Sequence, residues 1–142
     1  MTETNAYLSR LKKQNRLFVV DPDAPDSAEF VECHLDQART HLAAAVRATA
    51  HPPSSVALVY QAALSISLAE LRRIGFKVAP STRYVDEDVV LAFAAVANLI
   101  PATRSGLVVV LKLYAQCFEA QPSITDEQAR NAAKAVESVF RR

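Results

Sequence analysis

Glycine is nearly missing from this 142-residue chain: Gly75 and Gly106 are the only two, and each stands alone. Phosphate-cradling loops need clustered glycines, so P-loop and dinucleotide-binding chemistries are excluded. Histidine is confined to the first part of the chain, at His34, His41 and His51, with none after it. Cysteine appears twice, as Cys33 and Cys117, which makes neither a disulfide framework nor a metal spacing. There is no Cys-x-x-Cys, no Glu-x-x-His and no His-x-x-x-His. His34 and His41 share a helical face, but seven residues of helix rise separate them by about 10 Å, too far for one ion. A Gly-x-Ser-x-Gly elbow is missing too, so no hydrolytic triad is indicated. No metal or cofactor is expected. The first residues are polar with no apolar run behind them, and nothing approaches the ~20 apolar residues of a membrane span. The expected compartment is the cytoplasm, with no membrane partner. The net charge of +1 gives no global attraction to nucleic acid.

What remains is a chain half hydrophobic and poor in β-branched alternation. That composition predicts an all-α domain spanning 1–142: an antiparallel bundle of four to five helices over 27–142, preceded by a short, basic helical arm over 1–20. Apolar points at Ala6, Tyr7, Leu8 and Leu11 mark the arm, and Asp21-Pro-Asp-Ala-Pro-Asp26 breaks the chain after it. Asp26 with Glu29 suggests a capping box for a helix over 27–49, with the stripe Val31, Leu35, Ala38, Leu42 and Ala45. His51-Pro-Pro ends it. The next helix, to residue 74, is apolar on two strips and is expected at the centre. Its strips are Ala57, Tyr60, Leu64, Leu68, Leu71 and Val56, Val59, Ala63, Ile66, and Gly75 stops it. Asp86, Glu87 and Asp88 open a further helix whose stripe is Val89, Phe93, Val96 and Ile100. Residues 103–120 read as helix despite the strand-like run Leu107–Leu113, because the stripe continues to Cys117 without a turn signal. Thr125-Asp-Glu-Gln128 is a capping box for the last helix, carrying Ala129, Ala132, Val136 and Phe140. Both cysteines fall on apolar stripes and are expected to behave as small hydrophobes.

Two basic groups are candidate anion- or partner-binding sites. Arg10, Lys12, Lys13 and Arg16 lie in the arm; Arg72, Arg73, Lys77 and Arg83 surround the turn after the central helix. Such groups suit an RNA backbone or an acidic protein surface. The acidic stretches at 21–36 and 86–88 offer the alternative of pairing with them across a dimer.

The order of helices, with Tyr60-Gln-Ala-Ala63 and Leu71-Arg-Arg-Ile-Gly-Phe76 in the second core helix and its turn, resembles the HEPN superfamily of small helical bundles. The resemblance covers roughly Glu29 to Phe140 and implies RNA-related conflict biology. Its members include metal-independent endoribonucleases, toxins and partners of nucleotidyltransferases, usually dimeric. Its ribonucleases carry an arginine followed four to six residues later by a histidine on a late helix. Here that helix reads Lys112-Leu-Tyr-Ala-Gln-Cys-Phe118, without either residue. The nearest pair, Arg47 and His51, lies at the end of another helix. No catalytic residue carries over. The expectation is a non-catalytic HEPN-like protein acting by protein–protein binding, as a homodimer or with a toxin or defence component of a prokaryote. A divergent ribonuclease using Lys112, Tyr114 or Arg47 and His51 is one alternative. A ligand-binding module with a cavity lined by Tyr60, Phe93 and Tyr114 is another.

Overall fold

The computed structural model describes residues 3–48, 50–80 and 86–141. The expectations placed on Arg83 and Tyr84 lie outside the described residues. Among those described, six helices and one two-stranded antiparallel ribbon follow in the order α1 (Glu3–Lys13), β1 (Leu17–Val19), α2 (Pro25–Arg47), α3 (Pro52–Arg73), β2 (Phe76–Val78), α4 (Glu87–Val96), α5 (Pro101–Gln116) and α6 (Asp126–Phe140). The fold is all-α, as the composition implied, with the ribbon as its one addition.

α3 is the axis. It packs against α2, α4, α5 and α6, and its deepest residues are the small strip Val56, Val59, Ala63 and Ile66 together with Tyr60, Ala62, Ala69 and Leu71. Leu64 and Leu68, on the other strip, are half-buried. Narrow side chains bring neighbouring helices close to the α3 backbone, and the bulkier leucines sit to the side. Ser67 and Ser55 are buried without cost because each Oγ donates to a backbone carbonyl, Ala63 O at 2.8 Å and Ala45 O at 2.9 Å. By length and composition α3 would span a membrane, but 61% of its most apolar window is buried inside the bundle.

Helix ends depart from the sequence reading in instructive ways. Ala24, not Asp26, is the N-cap of α2, and it makes no side-chain cap bond. Pro25 occupies the first helical position, where its missing N–H costs nothing. The acidic loop instead closes on itself: the Asp23 N–H donates to Asp21 Oδ1 (3.0 Å) and Ser27 Oγ to the Asp21 carbonyl (2.8 Å). The box at Thr125 and Gln128 forms with both reciprocal bonds. Ile100, expected on a buried stripe, is 66% exposed because α4 ends at Val96 and Pro101 opens α5. Cys33 is exposed rather than core, whereas Cys117 is partly buried.

Two larger corrections concern the start of the chain. The basic segment belongs to the bundle rather than preceding it: α1 packs on α4, and Leu11 is fully buried in the shared core. Beyond it, Leu17 leaves the helix for a strand. Asn15 takes a left-handed backbone (φ 57°), a conformation that asparagine tolerates, and turns the chain back into β1. Gly75, at φ +100°, makes the matching turn from α3 into β2, where a Cβ would also press on the Val20 carbonyl at 3.3 Å.

Gly106 has a different reason to be glycine. A Cβ there would lie 2.7 Å from the Ala135 Cβ, so α5 and α6 touch backbone to side chain at this point. Gly106→Ala is expected to lower stability by about 1–3 kcal/mol despite its better helix propensity. Adding Ala135→Gly should recover most of that loss in urea denaturation, as only a direct clash between the two sites requires.

Candidate functional site

The ribbon joins the two basic groups into one end of the molecule. β1 pairs with β2 in the register Leu17↔Val78, Phe18↔Lys77 and Val19↔Phe76. Lys77 therefore lies across from Phe18 and two positions from Arg16, although more than sixty residues separate them in sequence. Leu17, Phe76 and Val78 pack on the core, while Phe18 is 48%, Val19 84% and Ile74 47% exposed.

Within this end the candidate cations have unlike fates. Arg16 is committed to structure. Its Nη1 and Nη2 both bond the Asp86 carboxylate, the first at 3.1 Å. Nε donates to the Ala79 carbonyl at 3.1 Å, and Nη1 also reaches Gln14 Oε1 at 3.3 Å. Both charges are largely buried, with side chains 15% and 9% exposed. Arg10 pairs with Asp88 at 3.1 Å at a more open position. Two of the three carboxylates opening α4 thus hold the start of the chain in place, so these acidic and basic segments meet within one chain. Arg73 is exposed and paired to Glu70. Arg72, expected at the surface, is only 6% exposed: its guanidinium lies 4.0 Å over the Phe30 ring, and Phe30 in turn stacks on His34 at 3.8 Å. Its Nε has no hydrogen-bond partner. Lys12, Lys13 and Lys77 are exposed.

Behind the ion pair lies an aromatic column. The Asp86 backbone N–H donates to Tyr60 Oη at 2.8 Å. Tyr60 stacks on Tyr114, with centroids 3.9 Å apart and planes 5° from parallel, and Tyr114 meets Phe118 edge-on at 5.2 Å. The two tyrosine rings occupy each other's faces, so the space between them is filled. Burial pushes the Tyr60 hydroxyl up to about 12, against the smaller opposing pull of the Asp86 N–H. Burial also raises Tyr114 and the Cys117 thiol. All three hold their protons near neutral pH, and a protonated thiol or phenol is a poor nucleophile.

The remaining alternatives are placed elsewhere. His51 is the N-cap of α3: its Nδ1 accepts the Ser54 N–H at 3.2 Å and lies 2.7 Å from Ser54 Oγ. Arg47 and Lys112 are exposed on separate helices. Among the described residues no group of three metal-ligating side chains converges.

Sequence reading missed Phe18, Val19 and Ile74 as surface features. A signal for the strand existed: Leu17-Phe-Val-Val20 is a β-branched and aromatic run between Asn15 and Asp21-Pro22. Nothing local marks these residues as exposed, because exposure depends on how little of the bundle covers β1. No family model matches the chain, and no curated protein or solved structure matches it.

Tyr60 gives this site an optical signature. One of the four tyrosines is expected to ionise near pH 12 in a near-ultraviolet titration, and that step should vanish in Tyr60→Phe. Its folded pKa lies above the unfolded value of 10.0. Its contribution to stability is therefore full below about pH 10 and is lost as pH rises from there towards 12.

Proposed function

We infer that this chain is a HEPN-like helical protein that works by binding protein through its ribbon end, without ribonuclease chemistry of its own. The observation that carries the reading is that Phe18 and Val19 on β1 and Ile74 at the turn into β2 are exposed, with Lys77 across from Phe18 and Lys12, Lys13 and Arg73 exposed at the ends of the helices that lead into the ribbon. An apolar centre with a charged rim is the anatomy of a protein contact. A surface built for an RNA backbone spends its arginines on phosphate, whereas here Arg10, Arg16 and Arg72 are engaged with Asp88, Asp86 and Phe30.

The late helix supports the same reading. In the HEPN resemblance α5 is where an arginine–histidine motif would stand. Here Tyr114 stacks on Tyr60 and burial keeps the Cys117 thiol protonated. His51, the nearest alternative, is occupied as a helix cap. A toxin–antitoxin or defence complex in a prokaryotic cytoplasm is the setting the resemblance implies.

The test is affinity purification from the native host, with the bound protein identified by mass spectrometry and its affinity measured. Phe18→Ala is expected to weaken that affinity by about 2 kcal/mol, as for an aromatic anchor at an interface centre. Exchanging Lys12, Lys13 and Lys77 for glutamate should slow association and flatten its salt dependence. Cleavage of added RNA in the presence of chelator, lost on His51→Ala or Lys112→Ala, would overturn the reading.

A further inference from the structure

Resting on that reading, we propose that the first occupant of the ribbon end is a second copy of this chain, joined by antiparallel pairing of β1 with β1. β1 bonds β2 with only part of its peptide groups. The Val20 N–H bonds the Gly75 carbonyl at 2.9 Å, and the Ala79 N–H bonds the Arg16 carbonyl at 2.8 Å. In an antiparallel ladder, residues with bonded peptides alternate with residues whose peptides face the other way. Arg16, Phe18 and Val20 thus face β2, and Leu17 and Val19 present their N–H and C=O groups on the outer edge. β2 is backed by α3, whereas β1 lies outside it, against α1.

Edges are ordinarily blunted with lysine, proline or an inward charge. This one carries Val19 at 84% exposure and Phe18 at 48%. The residues on either side of the edge select the partner. Lys12 and Lys13 precede it, and Asp21, Asp23 and Asp26 follow it, all exposed. A strand that is basic before and acidic after its apolar centre is complementary to itself only when antiparallel.

Edge geometry also fixes the register. Pairing Leu17 with the second copy's Val19 uses all the open peptide groups and sets Phe18 directly opposite its own counterpart at a non-bonded position. The antiparallel arrangement sets the lysine-bearing end of α1 in one copy on the side of the acidic loop of the other. A two-fold axis passes between the phenylalanines, as a closed isologous dimer requires. The result is a four-stranded sheet in the order β2, β1, β1, β2.

Sedimentation of the full chain tests the assembly, and crosslinking tests the register. The wild type is expected to sediment as a dimer. Val19→Pro removes an outward N–H and spares the β1–β2 ladder, so it should sediment as a monomer with an unchanged helical spectrum. In a Cys33→Ser, Cys117→Ala background, Phe18→Cys should form a disulfide-linked dimer on mild oxidation, and Lys77→Cys should not. If Val19→Pro fails to fold, the crosslinking pair decides alone. A monomeric wild type, a dimer that Val19→Pro leaves intact, or a dimer in which Phe18→Cys stays reduced overturns the proposal. A monomer that still holds a host protein through Lys12, Lys13 and Lys77 overturns self-pairing alone; a monomer with no protein partner overturns the binding reading with it.

Discussion

Arg16 gripping Asp86 is the contact on which the arrangement of this molecule turns. One guanidinium reaches the carboxylate of Asp86, the residue just before α4, the carbonyl of Ala79 just beyond β2, and Gln14 just past α1. Asp86 passes the connection inward, since its N–H holds Tyr60 on the central helix. The end of α1, the central helix and the stretch from Ala79 to Asp86 therefore meet around one pair of charges. Burying such charges costs desolvation that their attraction only partly offsets, so the pair adds little net stability. Its effect is on geometry. Removing either member leaves a largely buried charge without its partner, which penalises every arrangement in which α1 and the ribbon move off the bundle.

The ribbon needs that constraint. Strands of three residues joined as a pair do not persist in water by themselves. β2 is held directly by α3, but β1 depends on α1 and on the ion pair beneath it. The outcome is a strand fixed in position yet barely covered, with Phe18 and Val19 facing solvent. Arginines that a sequence reading assigns to the surface are consumed in building this platform. Lysines, with flexible and strongly hydrated ends, remain around its rim. At this end of the molecule Arg10, Arg16 and Arg72 are engaged within the fold, and Lys12, Lys13 and Lys77 are left exposed.

Much of the bundle could be read from periodicity alone. The stripe Ala38, Leu42 and Ala45 is buried, the Leu107–Leu113 run is helical, the box at Thr125 forms, and Tyr60 lies in the core. These are local features whose determinants lie within a few turns of helix. The failures share the opposite property. That Arg16 is held by Asp86, that Arg72 stacks on Phe30, and that Lys77 faces Phe18 are contacts over long sequence separations, to which composition is blind. Placing 1–20 before the bundle rather than in it followed from its charge, although its apolar points Tyr7, Leu8 and Leu11 all pack on the core. The candidate site was accordingly half legible: its cations were named, but the strand that gathers them and the apolar residues between them were not.

Amide hydrogen exchange on the full chain, comparing wild type with Arg16→Ala, tests most directly whether the ion pair holds the ribbon in place. The informative amides are Val20 and Ala79, which close the two ends of the ribbon, with Ala132 and Val136 in α6 as internal references. The account predicts that Val20 and Ala79 lose their protection in the variant while the α6 amides keep theirs. Equal protection of the ribbon amides in both proteins would contradict it.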